Sequence, residues 1–343
     1  MPVLNGYADA SIRECAAALQ AGELVAFPTE TVYGLGADAS SDTAVAKIFA
    51  AKGRPSEHPL IVHLDDAWQG ADGVARFARE VPAFAGALMR AFWPGPLTVI
   101  LPRRPEVASA AAGGQDSIGL RCPAHPVALT LLRACRGLGV MGLAGPSANQ
   151  FGRVSPTTAA HVRDEFGAAL RILDGGPCQV GIESTIVDCT RAEPVLLRPG
   201  GIDLAQLQAA GGQRIWLPDQ AALELGGAAA PRASGTLEAH YAPSAKLRLM
   251  DAKALQTALN VLGPAPQGAD PVLAIYARTE LRCRASAVVQ RRMPEDAAAT
   301  AQQLFAVLRE FDARGVKLIW VETPPAALEW DGVRDRLQRA AAS

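Results

Sequence analysis

Residues 47–63 read KIFAAKGRPSEHPLIVH and place a helix, a sharp turn and a strand one after another. The helical run stops at Gly53 and Pro55, because glycine commonly ends a helix and proline cannot continue its hydrogen bonding. The apolar residues that follow predict a short buried strand. Two cations, Lys52 and Arg54, stand on the turn at the mouth of that strand. This succession is typical of an α/β fold, and it raises the question of what the two cations bind.

The alternation of helices and strands continues through residues 1–211, for which we predict one domain. Strands are expected in ELVAFP, PLIVHL, LTVILP, LRILDGG, STIVDCT and PVLLRPGG. Helices are expected in SIRECAAALQAG, DTAVAKIFAAKG, HPVALTLLRACRGLG and SPTTAAHVRDEFG, the last of them with Ser155 at its capped start. Since hairpin-like joins occur as well, the expected architecture is an α/β fold in which helices flank a mixed, twisted sheet.

A change of composition separates this domain from the rest of the chain. Residues 212–245 are rich in Gly, Ala and Pro and have weak periodicity, so we interpret them as an interdomain linker. Residues 246–343 return to a regular order, with strands expected in KLRLMD, PVLAIYA and VKLIWVET between helical stretches. That order predicts a second, small domain with an open parallel, Rossmann-like α/β sheet.

Composition argues against several classes of protein. The formal net charge of −1 disfavours a nucleic-acid binder that works mainly by electrostatics, and the 5% content of aromatic residues disfavours a stacking platform for single strands. The cysteines form no C-x-x-C pair and the histidines no H-x-x-x-H pair, which removes the common zinc and redox motifs. Because the cysteines are scattered and neither a membrane-length apolar run nor a signal-peptide pattern occurs, we expect a cytoplasmic protein.

Two early stretches carry side chains suited to binding or catalysis. PTETVYGLG, residues 28–36, follows a buried strand, where open α/β sheets place their ligand loops. An ordinary strand-end turn is the alternative. Lys52 and Arg54 suit phosphate oxygens, although cations at the end of a helix also favour its dipole. Both interpretations stay open for each stretch.

Two later stretches pose a similar choice. Arg121 lies in the apolar context of SIGLRCP, where a buried charge needs either a ligand or an acidic partner within the chain. In GPSANQFGRVSPT, residues 145–157, hydroxyl groups precede a helix N-terminus, an arrangement that suits an anion or a ribose. Helix capping by Ser155 is the plainer interpretation, but it leaves Ser147 and Asn149 unexplained.

These motifs, taken together and in this order, resemble the YrdC/Sua5 family. The motifs are PTETVYGLG, KGRP with PLIVH, FWPGPLT, GLRCP, GPSAN with SPT, GIESTIVD and LLRPGG. The sequence SGTLEAHYAP resembles the loop that joins the two domains of the longer Sua5 type. The resemblance covers residues 10–245 by motif and 246–343 by layout. It implies a YrdC-like catalytic domain followed by a Sua5 C-terminal domain.

The resemblance implies an enzyme, a nucleotidyltransferase that makes threonylcarbamoyl-AMP from L-threonine, bicarbonate or CO₂, and ATP, with release of pyrophosphate. The product would pass to a tRNA-modifying transferase complex that forms threonylcarbamoyladenosine (t6A). Mg²⁺ is the expected cofactor, bound through the ATP phosphates with no protein ligand. Direct tRNA binding is expected to be weak, and no membrane partner is expected. Two rivals remain: a tRNA- or double-stranded-RNA-binding module without chemistry, and a carbamoyl transferase that acts on a protein.

The resemblance also assigns roles to single residues. The K-x-R and S-x-N motifs of the family fall on the expected catalytic residues Lys52, Arg54, Ser147 and Asn149. The L-threonine pocket is expected to contain Thr31, His63, Arg121, Gly145 and Ser184. The ATP site is expected to contain Arg54, His58, Ser117, Ser147, Ser155, Arg198 and Tyr241. His58 stands where many members have Asn, and Tyr241 belongs to the linker, which the family folds over its active site as a lid.

Overall fold

The computed structural model describes residues 3–224, 230–262, 272–283, 285 and 287–343. The chain divides into two compact units, one formed by residues 1–151 and 155–236 and the other by residues 152–154 and 237–343. The segment expected as a linker, residues 212–245, is shared between the two units and includes a short helix. Its role as a linker and lid stays a prediction. Within the described ranges, no helix combines the length and the apolar character needed to cross a membrane.

The described part of the first unit contains ten strands and eight α-helices. The strands are β1 (Val3–Asn5), β2 (Val25–Phe27), β3 (Gly34–Asp38), β4 (Ile61–His63), β5 (Leu97–Pro102), β6 (Ser117–Arg121), β7 (Leu143–Ala144), β8 (Arg171–Asp174), β9 (Thr185–Asp188) and β10 (Val195–Arg198). The helices are α1 (Asp9–Gln20), α2 (Asp42–Lys52), α3 (Val74–Phe77), α4 (Ala83–Phe92), α5 (Pro126–Gly137), α6 (Ala159–Phe166), α7 (Leu204–Gly211) and α8 (Pro218–Glu224).

All ten strands join in one sheet with the order β1-β8-β2-β3-β7-β4-β6-β5-β9-β10. Four pairs are parallel, namely β1 with β8, β2 with β8, β4 with β6, and β5 with β9. The other pairs are antiparallel. The mixed sheet predicted from the sequence is therefore confirmed. Its order matters for the site, because it brings the ends of β4 and β6 side by side.

Helices cover both faces of this sheet, as the alternation along β2 shows. Val25 and Phe27 belong to a core formed with α1 and α5, whereas Ala26 between them belongs to the larger core that includes α2 and α4. Successive side chains of a strand point to opposite faces, so a strand that is apolar at every position must be covered on both sides.

Helix α2 ends in a way that places Lys52 inside the protein. Ser41 caps its start by accepting a hydrogen bond from the backbone of Ala44 at 3.2 Å, and Gly53 ends it in the left-handed conformation with φ 61°. The core-facing stripe of α2 runs through Val45 and Ile48 and continues, at helical spacing, to Lys52. The ammonium group is thus carried inward by the same periodicity that buries the apolar side chains.

The prediction that Ser155 caps helix α6 is wrong. The helix begins three residues later than expected, and its cap is Thr158, whose side chain accepts a hydrogen bond from the backbone of His161 at 3.3 Å. Ser155 instead lies fully buried in the extended segment before the cap. Its hydroxyl group therefore has no capping role.

The second unit is a smaller α/β layer. Its strands are β11 (Lys246–Met250), β12 (Leu273–Ala277), β13 (Val288–Arg292) and β14 (Leu318–Glu322), and its helices are α9 (Ala252–Val261), α10 (Ala297–Ala313) and α11 (Asp331–Ala341). The strands form a sheet of order β11-β14-β12-β13 in which every pair is parallel. The predicted open parallel sheet is therefore confirmed. Leu255 and Leu259 of α9 pack on the face of β12 that carries Ile275.

Substitution of Gly200 in the LLRPGG motif is expected to destabilise the first unit. A Cβ atom at Gly200 would lie 2.5 Å from the backbone nitrogen of Thr185, so the loop would have to move away from β9. We expect Gly200→Ala to lower the free energy of unfolding by about 1–3 kcal/mol, the usual cost of overpacking. Urea unfolding measures the effect.

The neighbouring glycine supplies the matched control. A Cβ atom at Gly201 would meet only a methyl group of Val180, at 3.2 Å. Gly201→Ala is expected to change the unfolding free energy by less than about 1 kcal/mol, because a side chain can adjust where a backbone cannot. Equal effects of the two substitutions would contradict the steric explanation.

Candidate active site

The central strands bring two of the predicted residues directly together. His63 ends β4 and Arg121 ends β6, and the two are partners in the parallel register of these strands. Strand β7 lies on the other side of β4, and the loop that follows it carries Gly145 and Ser147. Because β7 runs antiparallel to β4, this loop begins beside the start of β4, where the backbone nitrogen of Gly145 donates to the carbonyl oxygen of Ile61 at 2.9 Å.

Arg121 has an acidic partner within the chain. Its Nη2 atom donates to Oε1 of Glu30 at 2.6 Å, and both side chains are more than 90% buried. The other carboxylate oxygen of Glu30 accepts a hydrogen bond from the backbone of Ala124 at 3.0 Å. Arg121 also donates through Nη1 to the hydroxyl of Thr31 at 2.9 Å and through Nε to the carbonyl oxygen of Gly95 at 3.3 Å. The guanidinium is thus fixed by the loop that follows β2.

The threonines of this loop form a small hydrogen-bonded turn. The hydroxyl of Thr29 donates to the carbonyl oxygen of Val32 at 2.6 Å and lies 2.8 Å from the hydroxyl of Thr31. Thr31 is fully buried between this turn and Arg121. The PTET sequence therefore positions a hydroxyl against a guanidinium.

His63 is a buried, neutral imidazole. Burial, reinforced by the nearby charge of Arg121, lowers the pKa of His63 from 6.5 to about 3. Its ring meets that of Phe27 edge-on, with the centroids 5.7 Å apart. A Cβ atom at Gly145 would lie 2.9 Å from Nδ1 of His63, so the glycine allows the loop to approach the ring closely. Nδ1 has no hydrogen-bond partner among the described residues.

The side chain of Lys52 binds the backbone of the S-x-N loop. Its Nζ atom donates to the carbonyl oxygen of Ser147 at 2.6 Å and to that of Asn149. Burial, and then repulsion by Arg54, lowers the pKa of Lys52 well below its ordinary value, while Glu165 and Glu183 act in the opposite direction. The sequence predicted that the kink fixes this cation, and the structure shows what it contacts.

Two further guanidinium groups converge on one short segment. Arg54 donates through Nη2 to the carbonyl oxygen of Pro59 at 2.9 Å and to the hydroxyl of Ser234 at 3.4 Å. Arg198 donates through Nη1 to the carbonyl oxygen of Ser234 at 2.7 Å. Ser234 therefore takes hydrogen bonds from two of the side chains expected to bind ATP. Ser117 lines a small cavity beside the same segment.

The remaining hydroxyl groups have partners on neighbouring strands. Ser184 lies 2.8 Å from the hydroxyl of Thr98 and accepts a hydrogen bond from Nη2 of Arg198 at 3.1 Å. Ser155 donates to the carboxylate of Glu183. The described residues contain no group of three or more His, Cys, Asp or Glu side chains that could hold a metal ion.

The structure thus joins most of the predicted residues within the first unit through hydrogen bonds or close packing. Tyr241 lies in the second unit, where its ring stacks on Phe305 with the centroids 5.6 Å apart and the guanidinium of Arg336 lies 5.3 Å from its centroid. His58 meets Phe151 edge-on, close to Arg54. The contributions of individual residues to substrate binding stay predictions.

Sequence reasoning assigned no role to several side chains of the site. They are Thr98, Glu165 and Glu183. The buried charge of Arg121 was a signal for an acid, although it did not identify Glu30 among 34 acidic residues. Ser234 begins the SGTLEAHYAP motif, but its contacts with Arg54 and Arg198 depend on where the chain folds back and could not be predicted.

The neutral state of His63 predicts a dependence of stability on pH. The unfolded chain binds a proton at His63 below about pH 6.5, whereas the folded chain does so only near pH 3. The stabilisation is therefore complete above pH 6.5 and decreases as the pH falls. Between pH 7.5 and 5, the wild-type chain is expected to lose about 2 kcal/mol more unfolding free energy than His63→Asn. Urea unfolding at both pH values tests this, and identical losses would contradict it.

Comparison with protein families gives two matches that together extend from residue 17 to residue 342. Residues 17–200 match a Sua5/YciO/YrdC family model described as "Telomere recombination". Residues 202–342 match one described as "Threonylcarbamoyl-AMP synthase, C-terminal domain". The two matches meet near residue 201, before the segment expected as a linker.

Individual relatives agree with these matches. A threonylcarbamoyl-AMP synthase of Bacillus subtilis is 38% identical over 341 residues, which cover 97% of this chain and 93% of that protein. One of Pyrococcus abyssi is 43% identical over 241 residues, which cover 70% of this chain and 68% of that protein. The crystal structure of P. abyssi Sua5 complexed with L-threonine superposes with a TM-score of 0.81 at 35% identity and covers 96% of this chain and 94% of its own. The chain therefore belongs to the Sua5/YrdC family.

Proposed function

We infer that the chain is a threonylcarbamoyl-AMP synthase. It joins L-threonine, bicarbonate or CO₂, and ATP into L-threonylcarbamoyladenylate with release of pyrophosphate, the first step of t6A formation in tRNA. The observation that carries this conclusion is the agreement with the B. subtilis synthase over 97% of the chain. A binding module without chemistry is not favoured, because the relatives carry the name of an enzyme.

The pocket around Arg121 is the proposed site of the amino acid. A guanidinium has five N–H donors, and Arg121 gives one each to Glu30, Thr31 and Gly95. The remaining two would bind the carboxylate of L-threonine. The neutral ring of His63 offers a polar group that adds no charge beside Arg121, and the absence of a side chain at Gly145 leaves this ring close to the S-x-N loop.

The nucleotide is proposed to bind where Arg54 and Arg198 now contact Ser234. Phosphate oxygens accept charge-assisted hydrogen bonds from guanidinium groups more strongly than a hydroxyl or a carbonyl oxygen does. Ser234 would therefore give way to the triphosphate. Ser117, Ser147, Ser155 and His58 are proposed to complete this side, and Tyr241 is proposed as a further ATP-binding residue.

The buried cations of this chain suit a metal–triphosphate complex. When bound to the triphosphate, Mg²⁺ would offset part of the phosphate charge. We propose that Mg²⁺ enters with ATP, while Arg54 and Arg198 orient the phosphates. The site would exclude water from the carbamate and the mixed anhydride, both of which hydrolyse readily.

We further propose that the reaction takes place in the cytoplasm and that the adenylate passes to a tRNA-modifying transferase complex. All six cysteines are free, and five of them are buried, which suits a reducing compartment. Direct binding of tRNA is expected to contribute little, since the net charge of the chain is −1.

Formation of the adenylate is the direct test of this function. We expect the chain incubated with labelled L-threonine, bicarbonate, ATP and Mg²⁺ to form a threonine-bearing adenylate and one pyrophosphate for each adenylate. Omission of L-threonine or of bicarbonate should stop pyrophosphate release. Pyrophosphate release that needs neither of them, or RNA binding with a steep salt dependence and no ATP turnover, would contradict the proposal.

Two matched substitutions separate the amino-acid side from the nucleotide side. Arg121→Lys keeps the charge but loses the planar fork, and it should raise the KM for L-threonine about 10–100-fold with less than about threefold effect on the KM for ATP. Arg54→Lys should show the reverse pattern. Steady-state kinetics with each substrate varied in turn measures both, and equal effects on the two substrates would contradict the assignment.

A further inference from the structure

Lys52 is a buried cationic side chain whose hydrogen bonds are both to backbone carbonyl oxygens. Only 2% of its surface is exposed. Its Nζ atom donates to the carbonyl oxygens of Ser147 and Asn149, and no carboxylate of the described residues lies within ion-pair distance of it. A lysine in this setting keeps its place whether it is charged or neutral, because neither hydrogen bond needs the third proton.

The Nζ atom of Lys52 has one tetrahedral position that neither of these two hydrogen bonds uses. A neutral amine has two N–H groups and one lone pair, whereas an ammonium has three N–H groups. The two carbonyl oxygens use two N–H groups in either state. The remaining tetrahedral position is then a proton acceptor in the neutral state and a hydrogen-bond donor in the charged state.

The surroundings of Lys52 shift its equilibrium from the ammonium toward the neutral amine. Burial and the neighbouring Arg54 both lower the pKa of Lys52. Glu165 and Glu183 face the same side chain and oppose this shift, but burial is the largest contribution. A triphosphate that enters the site would add negative charge and thereby favour the ammonium.

Lys52 is also connected to both of the proposed substrate positions. The loop 145–149 rests on Lys52 at Ser147 and Asn149, and at Gly145 it packs against His63 in the amino-acid pocket. On the other side, Arg54 follows two residues later and reaches toward the proposed triphosphate position. Lys52 is therefore linked to the proposed amino-acid pocket through the loop 145–149 and to the proposed triphosphate position through Arg54.

We propose that Lys52 is the base that takes a proton from the ammonium group of the bound amino acid. The proposal rests on the function inferred above. An ammonium has no lone pair with which to attack carbon, so one proton must leave before carbamate can form. With bicarbonate as the carbon source, the amine nitrogen bonds to carbon, one proton passes to Lys52, and the second departs in the water that forms from the lost hydroxyl. The carbamate is left as an anion and Lys52 as an ammonium, so charge and atoms balance.

After it has gained this proton, Lys52 acts as a hydrogen-bond donor in the second step. A carbamate oxygen bonds to the α-phosphorus, and the bond from that phosphorus to the bridging oxygen of pyrophosphate breaks. The third N–H group of Lys52 is now a donor beside the phosphates, where negative charge has to be stabilised. The same residue thus acts as a base first and as a cation afterwards.

The pH dependence of Lys52→Arg tests this proposal. Arginine keeps the positive charge and can donate to the two carbonyl oxygens, but it does not release its proton at any working pH. We expect kcat/KM for L-threonine to fall about 100–10,000-fold at pH 7, the usual contribution of a general base. The deficit should shrink about tenfold for each unit of pH increase toward the pKa of the free amino group, because the substrate then arrives already deprotonated. Lys47→Arg on the exposed face of α2 is the matched control and should retain full activity.

A second measurement covers the case in which Lys52→Arg does not fold. Lys52→Ala is assayed with added ethylamine, and the recovered rate should follow the concentration of the neutral amine. Activity of Lys52→Arg above about a third of wild type at pH 7, a deficit that is the same at every pH, or recovery that follows the ethylammonium ion would each overturn the proposal. A wild-type chain that makes no adenylate would remove the inferred function, and this proposal with it.

Discussion

The buried ion pair between Glu30 and Arg121 fixes the geometry on which the site depends. It joins three parts of the chain, because Arg121 ends a central strand, Glu30 lies in the loop after β2, and the second oxygen of Glu30 accepts from the backbone of Ala124 at the start of α5. Removing one partner of such a pair typically costs about 3–5 kcal/mol, since a charge is left buried without compensation. The pocket is therefore in place before any ligand binds.

Two other buried guanidinium groups have neutral oxygen atoms among their hydrogen-bond partners. Arg54 and Arg198 donate to carbonyl and hydroxyl oxygens of the chain. Such partners orient a cation without cancelling its charge, which suits the phosphate contacts proposed for these two guanidinium groups. Arg121, which is proposed to bind the single carboxylate of L-threonine, is neutralised in part by the carboxylate of Glu30.

Much of this arrangement could be predicted from the sequence, and the part that could not has a physical reason. Helix α2, the strands PLIVH and LTVILP and the parallel second sheet follow from local periodicity, and the ordered motifs located Lys52, His63 and Arg121. The partner of Arg121 depended on the packing of the loop after β2 against the end of β6, which no local pattern contains. Ser155 was misjudged for a similar reason, since a hydroxyl before a helix looks like a cap until its long-range partner Glu183 is known.

The contacts of Ser234 have a consequence for the strength of nucleotide binding. The chain supplies its own hydrogen-bond partner to Arg54 and Arg198, so ATP bound as proposed would compete with the segment around Ser234 for the same donors. Apparent affinity then equals the intrinsic affinity multiplied by the fraction of molecules in which the segment is displaced. A tethered competitor of this kind lowers the affinity for every nucleotide by the same factor, including the products. Nucleotides then bind less tightly, and turnover is faster.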